Sequence, residues 1–307
     1  MSKPNIQEYI NILGDIPSFL NKYLELKILK RLKRVGYFCG MDYGSKHIYD
    51  FGYKISRYDH SLTTALITWK FTKDKRQTLL ALFHDVSTPC FSHVIDYMNK
   101  DYLIQESTEE KTYEILKNSP KLNNYLKKDN LNINDIANFK QYSIVDNDRP
   151  KICADRLDGI ILTSLAWTKE LSMNEIPDIL DNTAIYKNED NNDEIGFKSE
   201  KIAKHIYKLN KKIDEYCHTK EDNYMMELLA SITRYAIIKN YIEYNDLYIL
   251  DEQKLFSIFK HYALKDIYFS NLIMKFETIK KNDIENINFP KIKKRIINPL
   301  VKNIRIY

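Results

Sequence analysis

Two histidines and an aspartate lie in the segment ALFHDVSTPCFSH, residues 81–93, among apolar side chains. Ionisable groups are costly to bury unless a partner satisfies them. The adjacent pair His84 and Asp85 therefore requires partners elsewhere in the chain. We predict His60, in RYDHS, and Asp155, in CADRLDG, because both also occur in short apolar segments with helical character.

The four side chains form a donor set that suits a divalent metal. Two neutral imidazoles and two carboxylates favour Mn, Fe, Co, Ni or Zn and leave positions for water and a phosphate oxygen. Adjacent helix residues diverge by about 100°, so His84 and Asp85 would approach one ion from two sides. Without the other two residues, a His-Asp pair is more often a packed histidine beside a surface carboxylate, because most buried polar groups are simply hydrogen-bonded.

Helical periodicity predicts the elements that position these residues. The expected fold is all-α, a helical bundle with an additional helical C-terminal region. Pro89 would stop the helix that carries the His-Asp pair, and Ser92 would cap the next one. The polar run KNEDNNDE at 187–194 is the predicted boundary between residues 1–186 and 195–307, although both could form one continuous domain. We expect helices at residues 10–29, 58–71, 77–86, 93–98, 106–117, 152–167, 199–211, 224–240, 252–262 and 267–279, with irregular or hairpin structure at 39–52.

Composition places the chain among globular proteins and excludes some classes. The 307 residues are 44% hydrophobic and 29% charged, and the 7 Gly and 8 Pro are too few for a turn-rich sandwich or barrel. The net charge of +5 tolerates a phosphate-bearing ligand without demanding nucleic acid. No apolar run reaches the ~20 residues of a membrane span, and the first residues lack a signal peptide's apolar region. We expect a cytoplasmic protein without membrane contact, with reduced thiols at Cys39, Cys90, Cys153 and Cys217.

The segments RYDHSL, LFHDVSTPCFSH and ADRLDG, in this order, resemble the HD phosphohydrolase superfamily. The resemblance is closest to the deoxynucleoside triphosphate triphosphohydrolase branch, and weaker likeness at 39–43, 233–252 and 294–301 extends it over about residues 25–301. It implies an HD domain within 1–186 and metal-dependent hydrolysis of a phosphate ester, in particular a nucleotide. It also implies that the four residues above are the metal ligands, with Mg as a further candidate ion.

The resemblance implies further roles beside the metal. Arg57 precedes the first ligand and Arg156 follows the last; both would bind substrate phosphates, for which a guanidinium has a matching fork of donors. Arg57 could instead pair with a local carboxylate. His93 and Asp96 match groups that lie by the phosphates and support catalysis, and their spacing puts them on one helix face. The alternative is a histidine at a helix start and a solvated aspartate.

The sequence also departs from the triphosphohydrolase pattern. Thr88 stands where that branch has a histidine, and Thr108 and Glu109 stand where it has a second catalytic histidine. Glu109 could replace the imidazole as acid or base, provided that its pKa is raised. Gly159 and Thr163 replace residues that meet the sugar in the family. These changes predict either a different phosphate ester or leaving group, or a loss of activity.

Two alternatives of another class stay open. One is a regulatory protein that keeps the metal and binds a nucleotide without hydrolysing it. The other is nucleic-acid contact through a basic C-terminal tail, although a docked tail with a solvated basic face would look the same in sequence. The resemblance also implies a homo-oligomer, a dimer or larger. The basic residues of the tail are Lys291, Lys293, Lys294, Arg295, Lys302 and Arg305.

Overall fold

Helices dominate the structure, as the periodicity predicts. The computed structural model describes residues 5–103, 111–138, 141–284 and 291–307. A π-helical turn, Ser164–Thr168, continues α10. The helices are α1 Gln7–Leu13, α2 Asn21–Leu24, α3 Lys27–Leu32, α4 Arg57–Thr72, α5 Lys75–Phe83, α6 Val94–Asn99, α7 Thr112–Lys117, α8 Pro120–Lys128, α9 Asn134–Ala137, α10 Ala154–Thr163, α11 Ile176–Asn182, α12 Glu200–Cys217, α13 Lys220–Ile238, α14 Asp246–Ile249, α15 Glu252–Ala263 and α16 Ile267–Thr278.

A small sheet shows that the purely all-α prediction was incomplete. Its strands, β1 Thr183–Lys187, β2 Asp193–Phe197, β3 Leu300–Val301 and β4 Ile304–Arg305, lie in the order β1-β2-β3-β4. β1 and β2 form an antiparallel hairpin, and β2 pairs in parallel with β3. The polar run predicted as a loop supplies the hairpin turn and the ends of both strands. β3 and β4 have two residues each, too few to show an alternating pattern.

Strong capping fixes the start of α4. The Ser56 hydroxyl accepts a hydrogen bond from the Asp59 backbone N–H, and the Asp59 carboxylate accepts one from the Ser56 N–H at 2.8 Å. This capping box satisfies two of the N–H groups that a helix start leaves unpaired. It places Arg57 and His60 in the first turn of α4, which packs against both α5 and α10.

The connection between α5 and α6 is held in an unusual conformation. Phe91 and Ser92 have φ values of 65° and 45°, in the left-handed region that side chains with a Cβ rarely adopt. The prediction that Ser92 caps α6 is wrong: His93 occupies the N-cap position without a side-chain hydrogen bond. Ser92 instead accepts a hydrogen bond from Arg57 Nε at 3.1 Å. The Phe91 N–H donates to the Glu252 carboxyl group at 3.0 Å.

The predicted division into residues 1–186 and 195–307 stays a prediction. The β1–β2 hairpin crosses the predicted boundary, and one apolar cluster takes buried residues from both segments, among them Leu162 and Phe259. Within the described ranges, no helix combines the length and the hydropathy that crossing a membrane requires.

Glu252 makes stability depend on pH. Burial raises the pKa of this carboxyl from 4.5 to about 8, although hydrogen bonds from the Phe91 and Gly36 backbones oppose the change. The folded state therefore holds a proton that the unfolded state releases, and this stabilisation is complete below pH 4.5 and lost as the pH rises through about 8. We expect the Glu252→Gln variant to reduce the fall in unfolding free energy across this window, by up to about 1.4 kcal/mol per pH unit.

Urea denaturation of the wild type and the variant between pH 4.5 and 8.5 would measure this difference. Glu8, an exposed glutamate on α1, provides the control substitution Glu8→Gln. Equal pH slopes in the wild type and Glu252→Gln would show that Glu252 does not carry the effect.

Candidate metal centre

The packing of α4, α5 and α10 brings the four predicted ligands together. His60 comes from the first turn of α4, His84 and Asp85 directly follow α5, and Asp155 lies in the first turn of α10. Asp155 Oδ1 is 2.9 Å from His60 Nε2 and 3.4 Å from His84 Nε2. One donor atom from each of these three residues lies within 4.8 Å of the other two, which is compatible with a shared ion.

Asp85 lies beside this group of three. Its Oδ2 atom is 3.9 Å from His60 Nε2 and 3.8 Å from His84 Nε2. The same oxygen accepts a hydrogen bond from Arg57 Nη1 at 2.9 Å, and Oδ1 accepts one from the Thr88 hydroxyl at 3.0 Å. Arg57 thus forms the local ion pair that was one of its two predicted roles, while remaining next to the cluster.

Hydrogen bonds set the orientation of both imidazoles. His84 Nδ1 is 2.7 Å from the Ala81 carbonyl oxygen, which can only accept, so Nδ1 carries a hydrogen and Nε2 is the nitrogen that can bind a cation once it is deprotonated. His60 Nδ1 is 2.7 Å from Asp158 Oδ2, which assigns the same tautomer. Both Nε2 atoms face Asp155 as hydrogen-bond donors, and a cation would bind there in place of their protons. Outer hydrogen bonds of this kind are typical of metal-binding histidines, and the donor set fits a divalent cation.

Asp158 is a residue of the site that the sequence analysis missed. It is fully buried, and its carboxylate also accepts hydrogen bonds from the Thr63 hydroxyl at 2.8 Å and the Tyr9 hydroxyl at 2.7 Å. A signal was present, because Asp158 follows Asp155 by three residues in ADRLDG and so shares its helix face.

The electrostatics of the cluster favour ionised carboxylates. Burial opposes the charge on Asp155, but hydrogen bonds from His60 and His84 outweigh it and hold the pKa of Asp155 well below its ordinary value. Asp85 behaves likewise: burial opposes its charge, and Arg57 outweighs it and lowers its pKa. For His60, burial opposes protonation, but Tyr37 and Asp155 raise its pKa. Protons therefore compete with a cation for these nitrogens, and acid weakens metal binding.

A cavity of about 440 Å³ opens onto the cluster. Arg156 lines it, but its guanidinium donates to the Asn147 side-chain and backbone oxygens, both at 2.7 Å. Arg156 therefore braces the segment before α10, and its predicted contact with phosphate stays a prediction. The basic residues that line the cavity are Arg57, Arg149, Arg156, Lys293 and Arg295.

His93 and Asp96 meet as their spacing predicts. His93 lines the cavity, and its Nδ1 atom is 2.9 Å from Asp96 Oδ2. Asp96 is fully buried rather than solvated, and among the described residues its Oδ1 atom has no hydrogen-bond partner. The predicted catalytic residue Glu109, together with Thr108, lies outside the described residues.

Comparison with known proteins supports the HD superfamily for the central segment. Residues 57–161 match the family model described as HD domain, and this range contains all four predicted ligands and Asp158. The chain is also similar to the uncharacterized protein YdhJ of Bacillus subtilis (strain 168), with 24% identity over 144 residues. That match covers 47% of this chain and 42% of YdhJ, so the chain spans less than half of that relative's length.

The Asp158 carboxylate should control metal affinity without being a ligand. We expect Asp158→Asn to lower the affinity about 10- to 100-fold, because an amide cannot accept the His60 hydrogen bond as strongly and can turn a donor toward the ring. Metal analysis combined with chelator competition measures this change. Tyr9→Phe removes another hydrogen bond to the same carboxylate and serves as the control. Unchanged affinity in Asp158→Asn would contradict the orienting role.

Proposed function

We propose that this protein is a metal-dependent phosphohydrolase that acts on a nucleotide or a related phosphate ester. The observation that carries the proposal is the cluster of His60, His84 and Asp155 inside the segment that matches the HD domain. Proteins with this domain are generally metal-dependent hydrolases. Asp85, whose Oδ2 atom lies beside both imidazoles, completes the proposed ligand set.

The proposed ligands would hold one of Mn, Fe, Co, Ni, Zn or Mg. When bound, a divalent cation supplies Lewis acidity toward a phosphoryl oxygen and makes water a stronger nucleophile at neutral pH. The chain's own contribution is to keep the carboxylates charged and the imidazoles aimed. Arg57 is anchored for this purpose, because it donates to Asp85 and Ser92 and its guanidinium lies 5.2 Å from the centre of the Tyr37 ring.

His93 is proposed to act on the substrate side of the cavity. If His93 Nδ1 donates to Asp96, the Nε2 atom is the one that can meet a phosphate oxygen or exchange a proton with the leaving group. The buried Asp96 carboxylate would hold the ring in the orientation that this exchange needs. Glu109 is proposed as a further acid or base on its sequence position alone.

The lining of the cavity supports an anionic substrate. Lys293 and Arg295 come from the C-terminal segment and Arg149 from the segment before α10, and all three add positive charge near the cluster. A deoxynucleoside triphosphate is the finer proposal, on the resemblance described above. Thr88, whose hydroxyl donates to Asp85, replaces the histidine of that branch and favours a changed leaving group.

Loss of a ligand should remove metal and activity together. We expect Asp155→Ala to lower metal content and to reduce turnover of nucleotides and of bis(p-nitrophenyl) phosphate by at least about 100-fold. The measurement is elemental analysis followed by a phosphate-release screen with each metal. His261→Ala, which changes an exposed histidine, is the control. Full turnover by Asp155→Ala would refute the assignment of this ligand.

The same screen separates the regulatory alternative. A wild-type protein that binds metal and is stabilised by a nucleotide, yet hydrolyses no ester, would be a binding protein. The homo-oligomer stays a prediction, which a mass measurement in solution would test.

The C-terminal tail is docked, and this limits any contact with nucleic acid. The Arg305 guanidinium forms ion pairs with Glu189 and Glu194, both at 2.8 Å. The backbone N–H of Arg295 donates to the Asp214 carboxylate at 2.6 Å. Lys291, Lys294 and Lys302 are exposed. A nucleic-acid contact through the tail would rest on these three residues and should weaken steeply with salt.

A further inference from the structure

A buried carboxyl group lies in the cavity but apart from the metal cluster. Asp222, in the first turn of α13, is 9% exposed and lines the cavity. Its Oδ1 atom accepts a hydrogen bond from the Tyr49 hydroxyl at 2.7 Å. Within the described ranges, its Oδ2 atom makes no hydrogen bond. Oδ2 is not one of the fully buried atoms without a partner, so it is open to the cavity, where a ligand can complete its hydrogen bonds.

Aromatic rings connect the metal cluster with Asp222. Consecutive ring centroids in this series are 4.1 to 5.4 Å apart, so the two groups occupy different parts of one cavity. In order, the series consists of His60, Tyr37, Phe38, Phe51 and Tyr49, whose hydroxyl meets Asp222.

The cavity wall near Asp222 suits a flat, apolar group. Tyr49 and Phe51 are stacked, with centroids 5.4 Å apart, and the half-buried Trp167 lies 6.2 Å from each of them. Met226, one turn along α13 from Asp222, also lines the cavity. A planar ring gains both burial and stacking against such a wall.

We propose that Asp222 recognises the substrate's base, a nitrogen heterocycle that carries an exocyclic amino group beside a ring nitrogen. This inference rests on the proposed function, because it places the phosphate ester at the metal cluster and the base in the aromatic part of the cavity. The Asp222 carboxylate accepts a hydrogen bond from the amino group, whereas a base with a carbonyl in that place presents a second acceptor and leaves both groups unpaired.

The ionisation of Asp222 is compatible with this role. Burial raises the pKa of Asp222 to about 7, against the opposing effects of the Tyr49 hydrogen bond and Arg295. Above this pH the group is mainly a carboxylate, which only accepts hydrogen bonds and so matches an amino group; below it, the carboxylic acid can also donate to a carbonyl.

Matched base pairs test the inference. The probes are cytosine and uracil, and adenine and hypoxanthine, as deoxynucleoside triphosphates, with bis(p-nitrophenyl) phosphate as a substrate without a base. We expect the wild type to favour the amino-bearing member of at least one pair about 10-fold or more in kcat/KM. Asp222→Ala should abolish the preference, mainly through KM, and leave turnover of the base-free substrate within about twofold.

Two companion variants keep the result interpretable. Tyr49→Phe removes the hydroxyl donor while leaving the ring and Asp222 in place, and should retain the base preference. Asp222→Asn keeps the size of the side chain and replaces Asp222→Ala if that variant does not fold; it should weaken or invert the preference. A preference that survives loss of the carboxyl, or an equal loss with all substrates including the base-free one, overturns the inference.

Calorimetric binding of the same nucleotides separates this inference from the proposed function. If the wild type hydrolyses nothing but binds the amino-bearing bases more tightly, and Asp222→Ala does not, the inference holds and the phosphohydrolase proposal fails. Hydrolysis without any base preference leaves the phosphohydrolase proposal and overturns the inference. If the wild type neither hydrolyses nor binds these nucleotides, both the phosphohydrolase proposal and the inference are overturned.

Discussion

The burial of the Asp158 carboxylate is the constraint on which the metal centre depends. A charged group without solvent must find hydrogen-bond donors, and this one finds them on two elements: Tyr9 of α1, and His60 and Thr63 of α4. Because Asp158 belongs to α10, satisfying it fixes how these three helices pack. The His60 ring then has no freedom to rotate, and its Nε2 atom faces Asp155. Packing and ligand geometry thus have one cause.

A second constraint is the balance of charge within the cluster. Two carboxylates, from Asp85 and Asp155, face two imidazoles in the lining of the cavity. Arg57 offsets Asp85 directly, which leaves Asp155 as the carboxylate held mainly by the histidines. A divalent cation suits this arrangement because the site already holds more negative charge than a single guanidinium balances.

The sequence predicted the candidate ligands better than the residues that hold them in place. The predicted ligands could be selected directly, since His60, His84 and Asp155 lie in short apolar segments, and their binding of a metal stays a prediction. Asp158 was missed because its role depends on a histidine far away in the chain. The tail's arginines looked like surface charge, yet Arg305 is drawn in by Glu194, a fully buried residue of β2. Local periodicity carries no information on such distant pairings.

The fold shows the same division. Long helices such as α4 and α13 follow from their periodicity, whereas β3 depends on the edge that β2 offers and β4 pairs with β3 in turn. Ser92 has the residue type of a helix cap, but tertiary contact with Arg57 takes its hydroxyl away from α6.

The left-handed turn at Phe91 and Ser92 shows that residues 57–161, which match the HD domain, depend on contacts from the rest of the chain. The Glu252 carboxyl group, from α15, accepts a hydrogen bond from the Phe91 N–H. The Ser92 hydroxyl of the same turn accepts one from Arg57. Residues beyond 161 therefore help to position the residues of the candidate metal centre. Recombination that exchanged the C-terminal half for an unrelated sequence would remove the buried carboxyl that restrains this turn. The shape of this turn therefore depends on contacts from both halves of the chain.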